Sequence, residues 1–134
     1  MKILVAYDGG SAARRALYKA AQLARATHAQ VGVISVVPLH MERGRPIVEP
    51  WDDQASHREH LAEADAVFKA SGIEPELIEA TGSPAEQIEE AAEIRGYDTI
   101  VLGGHRKSWF SRLMEGDVMR DVLERVTTTV VVVP

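Results

Sequence analysis

The chain has 134 residues, with 15 lysines and arginines against 20 aspartates and glutamates, no cysteine, and a formal net charge of −5. That length suits one domain spanning residues 1–134, whose core needs no metal or cross-link. Without cysteine there is no disulfide, zinc thiolate or thiol nucleophile, which fits a reducing cytoplasmic setting. The acidic balance argues against DNA or RNA as a partner, because polyanions are held by lysine and arginine. A membrane span is not expected either, since no run of ~18 apolar residues occurs, and the start "MKILVAYDGG" meets a charge at Asp8 too early for a signal-peptide core.

Ile3 to Tyr7 forms the first predicted strand, apolar on both faces as a central parallel strand covered by helices must be. It stops at "DGGS", where Ser11 is expected to cap a helix whose Ala13, Leu17, Ala20, Ala21 and Ala24 recur at helical spacing. A second strand, Val31 to Val37, ends at Pro38 and opens a connection to Trp51. That connection exceeds ordinary strand-to-helix loops and reads as a lid or a partner surface. A polar helix follows from about Asp52 to Ala70, with Leu61, Ala64, Val67 and Phe68 as its buried stripe and Gly72 closing it.

The strand "PELIEA" leads to "TGSP", where Ser83 as cap, Pro84 in the first turn and Glu86 three positions on suit the start of a third helix, running to about Arg95. "DTIVLGG" is the fourth strand, a fourth helix starts near Asp117, and "TTTVVVVP" closes the chain as the fifth strand. Such alternation predicts an α/β fold, a five-stranded parallel sheet with helices on both faces and strand order 3-2-1-4-5. Ligands bind such sheets beyond the carboxyl ends of the strands, where the winding reverses. Here that place lies between "YDGGS" and "LGGHRKS", so the two most glycine-rich turns converge.

Neither turn is a standard phosphate motif. Lys107-Ser108 follows Arg106 where a P-loop needs glycine, and "DGGSAA" lacks the G-x-G-x-x-G spacing of a dinucleotide site. "EATGSP" offers no aspartate of the receiver-domain type at the end of the third strand. No nucleophile with its base is visible, so no enzyme is expected. His105, Arg106, Lys107 and Arg112 form a basic cluster that reads either as a solvated loop or as phosphate contacts.

The stretches "VAYDGGSAARRAL" and "TGSPAEQIEEAAEIRGYDTIVLGG", with the closing apolar strand, resemble the universal stress protein family along nearly the whole chain. The resemblance implies a small cytoplasmic protein with a Rossmann-like sheet of the adenine nucleotide α-hydrolase type, usually a dimer, from a family with ATP-binding and non-binding branches. The binding branch carries G-x-x-G, nine residues, then glycine and a hydroxyl residue; Gly103 and Gly116 match it, whereas Arg106 and Asp117 replace the second glycine and the hydroxyl. The nucleotide set the resemblance implies is Ala6, Asp8, Val37, Leu102, Gly103, Arg106, Lys107, Gly116, Asp117 and Val118, with Asp8 and Val37 on the adenosine side. Asp8 reads equally as a turn residue.

Asp117, at a helix start, can cap the free amides that would otherwise receive a phosphate. Its charge at ~4 Å from an anion, with an effective dielectric between ~20 and ~80, costs about 1–4 kcal/mol. Arg106 in place of glycine strains a left-handed backbone by about 1–2 kcal/mol, while its charge, with Lys107 or Arg112, offers side-chain contacts to phosphates instead. The expectation is a non-enzymatic, dimeric stress-response module with weak, altered or absent binding of ATP, AMP or cyclic AMP, no required cofactor and no metal. Two alternatives stand beside it: ATP held by the basic loop, and an unknown protein partner docked on residues 38–51.

Three further features remain. His57 and His60, with His40 nearby, read as surface histidines or as a metal set. Trp109 and Phe110 read as a plug over the crevice or a partner contact. The β-rich last strand is an aggregation hazard if bare, and pairing with its twin across a two-fold axis protects it.

Overall fold

Two central strands without an exposed face dictate the architecture. The computed structural model describes residues 1–104, 123–124 and 126–134. β1 (Lys2–Ala6) and β2 (Gln30–Pro38) are buried along nearly their whole length, as their unbroken apolar runs require. They pair in parallel from Lys2↔Gln30 to Ala6↔Ile34. On its other side β1 pairs in parallel with β6 (Thr99–Gly103), from Ile3↔Thr99 to Val5↔Val101.

The outer positions belong to β5 (Glu76–Gly82), beside β2, and β7 (Thr129–Val133), beside β6. The order β5-β2-β1-β6-β7 is the expected 3-2-1-4-5, shifted in numbering by two short strands in the long connection. Those two, β3 (His40–Glu42) and β4 (Arg45–Ile47), make an antiparallel hairpin separate from the main sheet. The connection read as a lid or a partner surface therefore contains regular structure, and its start is tied down where Leu39 N–H donates to Gly82 O at 3.2 Å.

Strand alternation sorts the core into two layers. Ile3, Val5, Tyr7, Val31, Val33 and Val101 face α1 (Ser11–Thr27) and α2 (Gln54–Ala70). Leu4, Ala6, Ile34, Val36, Ile100 and Leu102 face α3 (Pro84–Arg95). The α1 stripe is largely alanine, so the helix backbone comes close to the sheet. Contact is tightest at Gly103, where a Cβ would stand 2.5 Å from the backbone C of Ala12 and N of Ala13.

Several local expectations change. Gly10 rather than Ser11 is the N-cap of α1, and Ser11 is its first helical residue. α2 starts at Gln54 behind Asp53, whose carboxylate accepts from Ser56 N–H at 3.0 Å. Ser83 and Pro84 occupy the predicted cap and first-turn places of α3, but the Ser83 side chain makes no capping bond. In α2, His57 joins Leu61, Ala64 and Phe68 on the buried face, while Val67 is half-buried. The fourth helix expected near Asp117 lies outside the described residues except for Leu123 and Glu124, which are helical.

The close approach at Gly103 yields a first prediction. Gly103→Ala forces a methyl against main-chain atoms that cannot rotate away, and we expect a loss of about 1–3 kcal/mol. It should appear as a lower urea midpoint at unchanged slope; an unaltered midpoint would show that α1 can retreat freely.

Candidate functional site

The winding reverses at β1, since the chain adds β2 and β5 on one side of it and then β6 and β7 on the other. A crevice at the carboxyl ends follows from that geometry. Of the residues expected there, Ala6 ends β1, Val37 lies one residue before the end of β2, and Leu102 and Gly103 end β6; all four are buried. Asp8 is half-buried in the turn after β1, and its Oδ1 accepts from Gly10 N–H at 2.9 Å. That bond shapes the turn as an Asx motif and presents α1 by its amino end. Arg106, Lys107, Gly116, Asp117 and Val118 lie outside the described residues, as do Trp109, Phe110 and Arg112.

Gly9, at the centre of the turn, has φ +81°, and His60 of α2 lies directly on it: a Cβ there would meet His60 Nε2 at 2.5 Å and Cδ2 at 2.7 Å. The imidazole also stands edge-on to Tyr7, with ring centroids 6.0 Å apart, and to His57, at 5.3 Å. Its Nδ1 is buried and has no hydrogen-bond partner. Burial, followed by the neighbouring His57, pushes the His60 imidazole below its ordinary pKa. Next to it, Tyr7 Oη donates to Glu63 Oε2 at 2.9 Å, and Arg14 Nη2 lies 3.6 Å from the same oxygen. Burial pushes the Tyr7 phenol up.

Beneath this surface runs a buried polar chain. His57 is completely buried, with Ser35 Oγ 2.5 Å from its Nδ1 and Asp52 Oδ1 2.5 Å from its Nε2. A carboxylate only accepts, so in the neutral ring Nε2 carries the proton and donates to Asp52, and Nδ1 accepts a hydrogen bond from the Ser35 hydroxyl. The members are those of a hydrolytic triad, but Ser35 is fully buried in the interior of β2, where no substrate reaches it. What the chain does is fasten the start of α2 to the middle of β2. The reading of His57 as a surface residue is therefore corrected, and half-buried His60 departs from it too. His40, by contrast, is exposed on β3, and among the described residues no three His, Asp or Glu side chains gather as a metal would need.

The sequence did hold a signal for His57. It precedes Leu61, Ala64 and Phe68 by four, seven and eleven positions, which places it on the same buried stripe. Its partner Ser35, 22 positions away on another element, could not be inferred without the fold.

The molecule is thus a doubly wound α/β protein whose candidate site is the crevice over β1 and β6. The model of the Universal stress protein family matches residues 1–134, and the chain belongs to that family. Universal stress protein YxiE of Bacillus subtilis is 26% identical, over 98% of this chain and 97% of that protein. A universal stress protein family structure from Burkholderia pseudomallei is 27% identical, covering 98% of this chain and 94% of that one with a TM-score of 0.72. The Archaeoglobus fulgidus universal stress protein, solved in complex with dAMP, is 26% identical, covering 100% of this chain and 98% of that one with a TM-score of 0.71. Among the described residues no helix is long and apolar enough to cross a membrane.

Ser35→Ala tests the buried chain. It leaves His57 Nδ1 without its donor in the core, and we expect a loss of about 1–3 kcal/mol in urea unfolding. A serine-directed phosphonofluoridate should leave the folded protein unlabelled at Ser35; stoichiometric labelling there would make the chain a working nucleophile.

Proposed function

We propose that this universal stress protein is a non-enzymatic, dimeric regulatory module whose crevice holds an adenine nucleotide weakly or in an altered way. The observation that carries the reading is a contrast between the two halves of the crevice. On the β1 side the Asp8 turn, Ala6, Val37, Leu102 and Gly103 stand together at the strand ends of the switch point. On the phosphate side the sequence puts Arg106 and Asp117 in place of a glycine and a hydroxyl. The dAMP bound by the Archaeoglobus fulgidus relative supports an adenine ligand for the intact half. Asp117 opposes a phosphate by charge, and removing that repulsion of about 1–4 kcal/mol corresponds to roughly one to three decades of affinity.

The last strand supports the dimer. β7 ends the sheet, and its exposed Thr129 and Val132 belong to a β-rich edge that natural proteins cover. A two-fold copy of the same strand supplies that cover.

Calorimetric titration with ATP, AMP and cyclic AMP, with and without magnesium, tests the ligand reading beside an Arg106→Gly, Asp117→Ser double variant. The wild type should bind weakly, and the double variant should gain roughly tenfold or more for ATP. Tight ATP binding by the wild type, lost on changing Arg106, Lys107 and Arg112 to alanine, would mean that the basic loop has taken over the phosphates. For the assembly, sedimentation should show a wild-type dimer and a Val132→Lys monomer; a dimer unaffected by the lysine would place the interface elsewhere.

A further inference from the structure

We propose that His60 is an acid-sensitive latch on the turn that walls the crevice: neutral, its ring clamps the Gly9 backbone, and on protonation it leaves that seat and frees residues 8–10. The consequence for nucleotide rests on the reading above, but the latch itself does not.

The geometry allows the neutral ring and disfavours the charged one. The neutral imidazole has one N–H and can leave its buried Nδ1 as a bare acceptor. The imidazolium has two, and the second would be a buried Nδ1–H with no acceptor, a costly arrangement that turning toward water relieves. The ring lies over Gly9, where an added Cβ would stand 2.5 Å from Nε2 and 2.7 Å from Cδ2, so a ring that turns away lifts its packing off the turn.

The groups around the ring do not rescue the charge in place. From β1, Tyr7 presents its ring edge. From the turn, Asp8 accepts from Gly10 N–H. Asp52, before α2, is engaged with His57 Nε2. On α2 itself, Glu63 is held by Tyr7 Oη and by Arg14 of α1. His57, 5.3 Å away, likewise disfavours a charge on His60. In its seat a charged His60 is attracted by Glu63, Asp8 and Asp52, but burial and His57 outweigh them.

The direction with pH follows. The imidazole is held below its ordinary value of 6.5 in the folded chain, so its contribution to stability is complete above that value and is lost as pH falls through the lowered one. Acidification within the range natural to histidine switches therefore opens the turn.

The test compares wild type with His60→Phe, which keeps a ring without a proton to gain, and His60→Gln, a smaller non-titrating replacement that guards against misfolding in the first. Amide resonances of Gly9 and Gly10 are followed by NMR from about pH 7.5 to about pH 5, with the His60 ring protons as the titration reference. In wild type the two glycines should move together with His60, at a midpoint below 6.5. In the variants they should stay still. AMP is the probe for the consequence, and its affinity should fall by roughly tenfold over the same range in wild type but not in the variants. Glycine shifts that persist in both variants, or a His60 that titrates while the glycines do not respond, would overturn the latch. AMP binding absent at every pH would remove the nucleotide reading and leave the resonances to decide the latch.

Discussion

The backbone of α1 sits so close to β6 that position 103 has no room for a side chain, and the rest of the site is arranged around that contact. Ala12, Ala13 and Ala16 make the approach available by offering no bulk of their own on the buried face. Once α1 is set there, the turn before it must leave β1 and enter the helix within residues 7–10. Gly9 at positive φ, the Asp8 carboxylate on Gly10 N–H, and Gly10 as cap are how the chain does so. The turn over the ends of β1 and β6 is thus set by close helix packing.

A second anchor acts from the opposite side of the turn. α2 arrives after the hairpin, and hydrophobic burial alone, through Leu61, Ala64 and Phe68, fixes only its middle and end. The start is fixed by polar groups: the Asp53 cap, the Asp52 carboxylate, and His57 linked to Ser35 in the core. Buried polar chains are worthwhile only when every member is satisfied, and this one is satisfied from hydroxyl to carboxylate. His60, one turn further on, stands outside the chain and lies on Gly9 instead. The same helix therefore carries one histidine that is fully bonded and another with an orphan nitrogen, and the difference is set by what β1 and β2 present to each.

Fold class, strand order and family were legible in the sequence because they rest on local signals: unbroken apolar runs for the central strands, helical spacing of alanines, and glycine turns in order. Boundaries moved by a residue or two where caps compete, as with Gly10 taking the place expected of Ser11. The hairpin at His40–Ile47 was missed because strands of three residues carry no periodicity to read. His57 was misplaced for a different reason. Histidine is ordinarily at the surface, and its burial is tolerable because the Asp52 carboxylate and a hydroxyl from a strand 22 residues earlier satisfy both ring nitrogens. Half of the candidate site could be placed by topology, since strand ends converge wherever a sheet reverses; side-chain pairings across elements could not.

Glycine in the family pattern therefore has two separate causes in this chain. At position 103 the requirement is internal, because α1 would clash with any side chain whether or not a nucleotide is present. Gly9 likewise makes room for His60. Such glycines mark the scaffold and carry little information about the ligand. In the nucleotide reading proposed above, the positions that discriminate are those of the phosphate half, where the sequence has Arg106 and Asp117. An arginine offers a phosphate a mobile charge in place of fixed backbone amides, while an aspartate at a helix start uses those amides and repels the anion. On that proposal the two changes pull in opposite directions, and the balance of charge at those two residues outweighs the count of matching glycines.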